Sequence, residues 1–517
     1  MIEFLLHNEK ITLTDIDPNT TVLKYLREQR RKMGTKEGCA SGDCGACTVV
    51  LAQLAPSAAH SSENATLEYK SVNACITFIS ALHHKQLICV DDLKQTSLHS
   101  CQQAMVDKDG SQCGFCTPGF VMSLFALQKN NTSYDRHKTQ QALAGNLCRC
   151  TGYQAIDNAA QQSFSQKVPD HFDRQQQQTI TQLKAMNASR KSQSISATRL
   201  LNDGNPIATC HLPQSVDELC ALLIEYPKSQ LIAGGTDLSI GLTQHGSSYQ
   251  SLIDLKQIAA LSQYTISEHH IEIGAMVTLA QCQQLLMPYF ADFSLLLERF
   301  ASLQVRNQGT LAGNIANASP IGDSPPALIA LDARLLLRKG ESSREVKLDQ
   351  FFTDYKKTRL SESEFIEKII IPLPAQRSVS VHSAQAFFKV HKVSKRQDDD
   401  ISAICAAYAL DIDSDNKISH IRLAYGGMAA IAKRALATER ALLGKAFNEQ
   451  TFSEAKLMLT DDFQPMSDHR ASSEYRLLLA QNLLQKLYIE ISADLQQTKQ
   501  LDSEQANKAH TRIFDYV

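Results

Sequence analysis

Apolar and polar positions change their period along the chain. Ile2 to Leu6 and Ile11 to Leu13 read as short strands, and Val22 to Arg31 carries a helical spacing. Thr48 to Leu51 is a further apolar run beyond a Gly/Cys-rich loop. Residues 1–85 are therefore expected to form a small α+β domain. From 86 to 164 the pattern is helical. Phe120-Val121-Met122-Ser123-Leu124-Phe125-Ala126-Leu127 follows Thr117-Pro118-Gly119, and proline suits the first turn of a helix, where its missing N–H has no partner to lose. A second helical pattern runs to Ala144 and stops at Gly145-Asn146.

Residues 165–200 are poor in large apolar side chains. Gln175 to Gln178 and Ser192 to Ser196 belong to a Gln/Ser/Lys-rich stretch that reads as an interdomain linker. Beyond it, over 201–380, runs such as Leu231-Ile232-Ala233, Leu252-Ile253-Asp254-Leu255 and Ile271-Glu272-Ile273 alternate with helical patterns, as in an α/β or α+β domain. A last domain over 381–517 carries Ile401 to Ile412, Ile418 to Tyr425 and a helical C-terminal part.

Charge removes some function classes. With 52 Lys and Arg against 54 Asp and Glu, the net charge is −2, without the basic excess of a nucleic-acid binder. The N-terminus lacks a basic segment followed by an apolar one, and no apolar run approaches the ~18 residues of a membrane span. The protein is expected in the cytoplasm. Clustered cysteines in a reducing compartment read as metal ligands or redox groups before disulfides.

That bears on the cysteines, because ten of the 14 lie at or before Cys150. Cys39, Cys44 and Cys47 have C-x4-C-x2-C spacing, with Cys75 downstream. This is the plant-type [2Fe–2S] pattern, in which a Gly-rich loop wraps the cluster and aims backbone N–H groups at sulfur. Gly38, Gly42 and Gly45 remove β-carbons where the chain approaches closely. Structural zinc loops more often pair one C-x2-C with another. The second group, Cys113 and Cys116 with Cys148 and Cys150, sits before one helical pattern and after the next. Packed as a hairpin, the two helices bring these thiols to one centre. Taken alone the quartet fits zinc or a cluster; two quartets in so short a span point to an electron wire. Cys89, Cys101, Cys210, Cys220, Cys282 and Cys405 lack partners at ligand spacing and read as buried bystanders.

Two glycine loops follow. Leu231-Ile232-Ala233-Gly234-Gly235-Thr236-Asp237-Leu238 is a strand entering a double-Gly turn, and Asn307-Gln308-Gly309-Thr310-Leu311-Ala312-Gly313-Asn314 is a second Gly-rich loop. Neither is G-x-G-x-x-G, so a Rossmann site is not supported. Backbone N–H groups in such loops can hold a pyrophosphate. A flavin is the logical neighbour of one-electron clusters, because it collects single electrons and delivers a hydride. Asp323, alone in a Pro/Gly segment, reads as a turn residue, and Asp398-Asp399-Asp400 as a solvated loop.

The order of these motifs, with Gln112-Cys113-Gly114-Phe115-Cys116-Thr117-Pro118-Gly119 and Cys148-Arg149-Cys150-Thr151-Gly152-Tyr153 between the ferredoxin-type motif and the glycine loops, resembles the molybdenum hydroxylases. Phe351 to Thr358, Lys395 to Ile401 and Ala424 to Ala429 extend the resemblance over nearly the whole chain. It implies a multidomain α+β protein. Its parts would be a β-grasp ferredoxin-like domain, a helical-bundle [2Fe–2S] domain, a vanillyl-alcohol-oxidase-type FAD-binding domain and a C-terminal α+β flavoprotein domain. Cys39, Cys44, Cys47 and Cys75 would hold the cluster nearer FAD. Cys113, Cys116, Cys148 and Cys150 would hold the one nearer a molybdopterin, with Gln112 and Cys150 on the pterin side. Leu231, Ile232, Ala233, Gly234, Gly235, Thr236, Asp237, Leu238, Thr310, Leu311, Ala312, Gly313 and Asn314 would bind FAD, with Asp323 near its isoalloxazine. No molybdopterin-binding region can be placed up to Val517, so the resemblance implies a molybdopterin-binding large subunit as partner. It further implies a heterotetramer with two copies of each chain, and NAD as electron acceptor. An aldehyde or N-heterocycle hydroxylase would share this architecture.

Overall fold

The computed structural model describes residues 1–55, 65–188, 193–196, 208–373 and 385–500. It divides into two compact units. The first holds Met1–Ser262, Thr278–Gln281 and Ala301–Thr310; the second holds Gln263–Val277, Cys282–Phe300 and the chain from Leu311 onward.

The first unit begins with a five-stranded sheet ordered Glu9–Leu13, Ile2–Leu6, Gln86–Ile88, Thr48–Leu54, Leu67–Asn73. Ile2–Leu6 pairs in parallel with Gln86–Ile88 and antiparallel with Glu9–Leu13, as in a β-grasp domain. Thr48–Leu54 is apolar without alternation because both of its faces are covered. Val49 and Leu51 pack with Phe4, Leu6, Val22 and Leu26. Val50 and Ala52, on the opposite face, pack with Phe120, Leu124, Phe125, Ile156 and Ala159 of the helical domain. The helix expected near Val22 starts there and widens over Tyr25–Gln29.

The helical domain comprises Ser100–Asp107, Thr117–Asn130, Arg136–Leu143 and Gln154–Ser165. Pro118 lies in the first turn of its helix, and Asp135 caps the next by accepting from the Lys138 N–H at 2.8 Å.

The linker expected over 165–200 is corrected by the structure: His171–Ala188 is an 18-residue helix. Its few apolar residues lie on one face, where Leu183 and Met186 pack on Leu5, and Phe172 joins the core of the helical domain. Gln177 and Gln178 are exposed and Gln175 is half-buried, accepting from Asn8 Nδ2 at 2.6 Å; this polar face gave the stretch its linker-like composition. Asp170, just before the helix, bonds Lys129 Nζ at 2.6 Å and His99 Nε2 at 2.9 Å. Residues 189–192 and 197–207 of the stretch and its continuation lie outside the described residues.

A second sheet of the first unit has the order Gln193–Ser196, Thr209–Leu212, Ser251–Asp254, Gln230–Ile232, its last three strands parallel. Ile195, Cys210, Leu212, Ile232 and Leu252 share a core with the ferredoxin-like domain.

The second unit contains an antiparallel sheet ordered Tyr264–Ile266, His270–Gly274, Phe365–Pro372, Arg334–Lys339, Ser342–Lys347. A separate sheet, Gln385–Val393, Ile404–Ile412, Ile418–Gly426 and Lys433–Arg434, packs with the helices Leu436–Leu442 and Ser473–Gln500 around Tyr408, Leu423, Tyr425, Leu484 and Ile491. Arg476 is buried and binds the carbonyls of Ala403 and Gly427, tying the long helix to this sheet. The architecture is multidomain α+β, as expected.

Candidate functional site

The loop from Gly38 to Cys47 folds its thiols inward. Cys47 and Cys75 are buried with their Sγ atoms 3.3 Å apart. Cys39 Sγ accepts from the N–H groups of Ser41 and Cys44, each at 3.4 Å. The Cys44 and Cys75 thiols also donate to it and hold Cys39 well below the usual thiol range. Cys75 is pushed up by the same contacts, with Cys39 and Cys47, and by burial. A β-carbon at Gly38 would stand 2.9 Å from Cys44 Sγ, and one at Gly42, where φ is +83°, would stand 2.5 Å from Ile76 Cδ1. Only glycine leaves this cradle free.

Cys113, Cys116, Cys148 and Cys150 also come together. Cys116 contacts Cys148, and Cys150 contacts Cys113. Cys148 Sγ accepts from the Cys150 and Thr151 N–H groups at 3.4 Å and from the Thr151 hydroxyl at 3.2 Å. Burial opposes the Cys148 thiolate, but these donors prevail and its pKa falls. Cys116 is pushed up to about 12 by burial and by Cys148. Cys113 and Cys150 are exposed, unlike Cys47 and Cys75. Among the described residues no three or more His, Cys, Asp or Glu side chains are arranged to hold a single metal ion. Thiols drawn together in pairs, with N–H groups on sulfur, are the donor set of a two-iron cluster, whose irons each take two thiolates.

The two cysteine groups meet through their backbones. Leu147 N–H donates to the Cys44 carbonyl at 3.0 Å. Beside it, a β-carbon at Gly45 would lie 2.3 Å from the Gly145 carbonyl oxygen, and one at Gly119 would lie 2.2 Å from the Gly45 oxygen. Asn146, buried here, donates to the Gly45 carbonyl at 3.1 Å. Nothing in the cysteine spacing identified Asn146.

The glycine loops differ from their expected form. Gln230–Ile232 is a strand, and Gly235 turns the chain with φ at +78°. A β-carbon at Gly234 would stand 2.4 Å from the Gln308 carbonyl oxygen, so this turn packs directly on the second loop. Leu311–Ala316 is helical rather than a loop; Leu311, Ala312 and Ile315 are buried, so an apolar face orders it. Thr310 pairs with Thr278. Leu231–Leu238 and Thr310 belong to the first unit; Leu311–Asn314 and Asp323 belong to the second.

Asp323 is no solvated turn residue. It is 4% exposed. Its carboxylate accepts from Lys392 Nζ at 2.7 Å and from Ser402 Oγ at 2.5 Å. Lys392 was not singled out from the sequence: it lies in the strand Gln385–Val393, where period-2 alternation gives no sign that a lysine points inward. Asp400 accepts from the Arg396 and Ile401 N–H groups and so orders the acidic loop expected to be merely solvated.

Two quartets of thiols, each drawn together with backbone N–H groups on sulfur, define an iron–sulfur protein. Four family models match in succession. These are a 2Fe-2S iron-sulfur cluster binding domain over residues 5–80 and a [2Fe-2S] binding domain over 89–161. An FAD binding domain in molybdopterin dehydrogenase follows over 205–374, and a CO dehydrogenase flavoprotein C-terminal domain over 389–491. The chain is 31% identical to a xanthine dehydrogenase of Emericella nidulans, over 96% of this chain and 39% of that protein. It is 29% identical to a xanthine dehydrogenase/oxidase of Gallus gallus, over 94% of this chain and 40% of that protein. It thus spans about two fifths of these curated relatives. A solved carbon monoxide dehydrogenase chain of Hydrogenophaga pseudoflava, from an enzyme lacking the Mo-pyranopterin moiety, aligns with a TM-score of 0.50 and 28% identity, over 54% of this chain and 94% of that one. The chain belongs to the molybdenum hydroxylases, as an iron–sulfur and FAD-carrying member.

Proposed function

We propose that this chain is the electron-transfer subunit of a xanthine dehydrogenase, working with a molybdopterin-binding partner chain and NAD in the cytoplasm. The observation that carries the reading is the joining of two thiol quartets, one with Cys47 and Cys75 buried and one with Cys113 and Cys150 exposed, through the Leu147–Cys44 hydrogen bond. Bound [2Fe–2S] clusters supply one-electron carriage, and bound FAD converts it to hydride chemistry.

This chain's residues hold and tune those groups. Cys39, Cys44, Cys47 and Cys75 take the inner cluster; Cys113, Cys116, Cys148 and Cys150 take the outer one. The N–H groups of Ser41, Cys44, Cys150 and Thr151 face sulfur, where they favour added negative charge. Exposed Cys113, Phe115, Cys150 and Tyr153 form the face that meets the partner. FAD binding is assigned to Leu231–Leu238 and Thr310 in the first unit and to Leu311–Asn314 and Asp323 in the second, where the Asp323 carboxylate is paired with Lys392. Among the described residues no helix is long and apolar enough to cross a membrane.

Two copies of each chain form the assembly. Purified alone, the chain is expected to contain about four irons and one flavin and to leave xanthine unchanged; with its co-purified partner it should reduce NAD in the presence of xanthine. Colourless protein containing zinc would overturn the reading. The similarity to a carbon monoxide dehydrogenase chain favours a second reading, the same subunit of another molybdenum hydroxylase. Identifying the partner by mass spectrometry separates the two.

A further inference from the structure

The segment Ala301–Thr310 lies in the first unit with both cysteine domains. Four of its side chains reach into them. Arg306 Nη2 bonds Gln141 Oε1 at 3.3 Å, Asn307 Nδ2 bonds the Ser71 carbonyl at 2.9 Å, and Gln308 Nε2 bonds Thr77 Oγ1 at 2.9 Å. The fourth is Gln304, 0% exposed. Its Nε2 faces Asn146 Oδ1 at 3.0 Å, Ser123 Oγ at 3.1 Å and Thr48 Oγ1 at 3.4 Å.

The chemistry around Gln304 calls for a donor. Thr48 Oγ1 already donates to the Gly45 carbonyl at 2.6 Å, and Ser123 Oγ donates to Asn146 Oδ1 at 2.6 Å. The hydroxyl protons are therefore engaged, and only lone pairs face the amide. Gly45 lies between Cys44 and Cys47, and Asn146 precedes Leu147 and Cys148. One buried amide thus joins the inner and outer cysteine loops beside the Leu147–Cys44 bond. The segment presses close, since a β-carbon at Gly145 would stand 2.2 Å from Ser302 Cβ.

We propose that Gln304 is a positioning residue for electron transfer between the two clusters: its N–H groups set the spacing of the loops carrying Cys44 and Cys148 while it touches neither cluster. The inference rests on the electron-transfer reading. The step itself moves one electron from a reduced centre to an oxidised one, with no bond made and no proton moved.

The test compares Gln304→Met, which keeps the length, and Gln304→Leu, which keeps much of the bulk, with the wild-type full chain; both remove the donor. Two readouts are taken. One is hydrogen exchange of the Leu147 amide; the other is the magnetic coupling between the two reduced clusters in electron paramagnetic resonance. Both variants should retain wild-type iron, exchange Leu147 about tenfold faster or more, and show altered coupling, because a small misplacement far from the chemistry is strongly felt. Wild-type exchange and coupling in either variant with full iron would overturn the proposal. If one variant fails to fold, the other decides by the same readouts. If the wild type itself shows no cluster signals, the electron-transfer reading fails. The exchange arm then still decides whether Gln304 positions the loops.

Discussion

Lys392 Nζ lies 2.7 Å from the Asp323 carboxylate, and the two side chains are only 2% and 6% exposed. Ser402 holds the second carboxylate oxygen, and the Arg299 carbonyl accepts from Lys392 at 3.3 Å. A charge pair this deep is tolerated only because both partners are satisfied. Lys392→Met should therefore destabilise the protein by about 3–5 kcal/mol, because it leaves Asp323 buried without its cation. Thermal unfolding measures the loss, and flavin absorbance of the purified variant should fall with it. A variant with wild-type stability and flavin content would show that the pair is dispensable.

Gly45→Ala tests the contact between the cysteine loops. The position has φ of +70°, and its β-carbon would meet the Gly145 oxygen, a backbone atom that no side-chain rotation can move. The expected outcome is loss of cluster absorbance with the flavin band retained. Gly444→Ala provides the comparison, since φ is +75° there but nothing lies within 4 Å of the added carbon. That variant should show backbone strain alone and keep both clusters.

Lys129 anchors the start of His171–Ala188. Its ammonium pairs with Asp170 and Asp173 and lies 5.5 Å from the centre of the Phe125 ring. Burial raises the Asp170 pKa, but hydrogen bonds from His99 and Lys129 outweigh it and hold the group well below the usual carboxylate range. A carboxylate depressed in the folded state contributes stability above its unfolded pKa and loses it as pH falls through the folded value. Lys129→Met should cost about 3–5 kcal/mol at neutral pH. The gap to wild type should narrow on acidification below about pH 4. Chemical denaturation at several pH values checks both the size and the slope.

Lys85 makes the opposite case. Burial first, then the neighbouring charges of Lys256 and Lys70, push its pKa down from 10.5 to about 7. Between those values the unfolded chain binds a proton that the folded one lacks, so this group makes stability rise with pH. Lys85→Met removes the effect. The variant should be more stable than wild type near pH 7, and the difference should shrink as pH rises toward 10.5. A difference that does not change with pH would rule out this titration.

The two cysteine quartets that the fold draws together were legible because thiol spacing is a local property: C-x4-C-x2-C and C-x2-C with C-x-C can be read without knowing the fold. The helix Thr117–Asn130 was legible because Pro118 and an unbroken apolar run mark it locally. His171–Ala188 was not, since its burial depends on a narrow face against Leu5 and on Lys129, far off in sequence. The inward turn of Lys392 was hidden for the same reason.

By itself, then, the sequence determined what chemistry the chain can hold: thiol quartets, glycine turns and an α+β domain order all follow from short-range spacing and period. Only the tertiary structure decided how those parts are joined within the first unit. Gly45, Gly119, Gly145, Asn146 and Gln304 meet where four stretches of chain cross. Close approach of distant backbones and satisfaction of buried amides are properties of the packed state, and no local pattern encodes them.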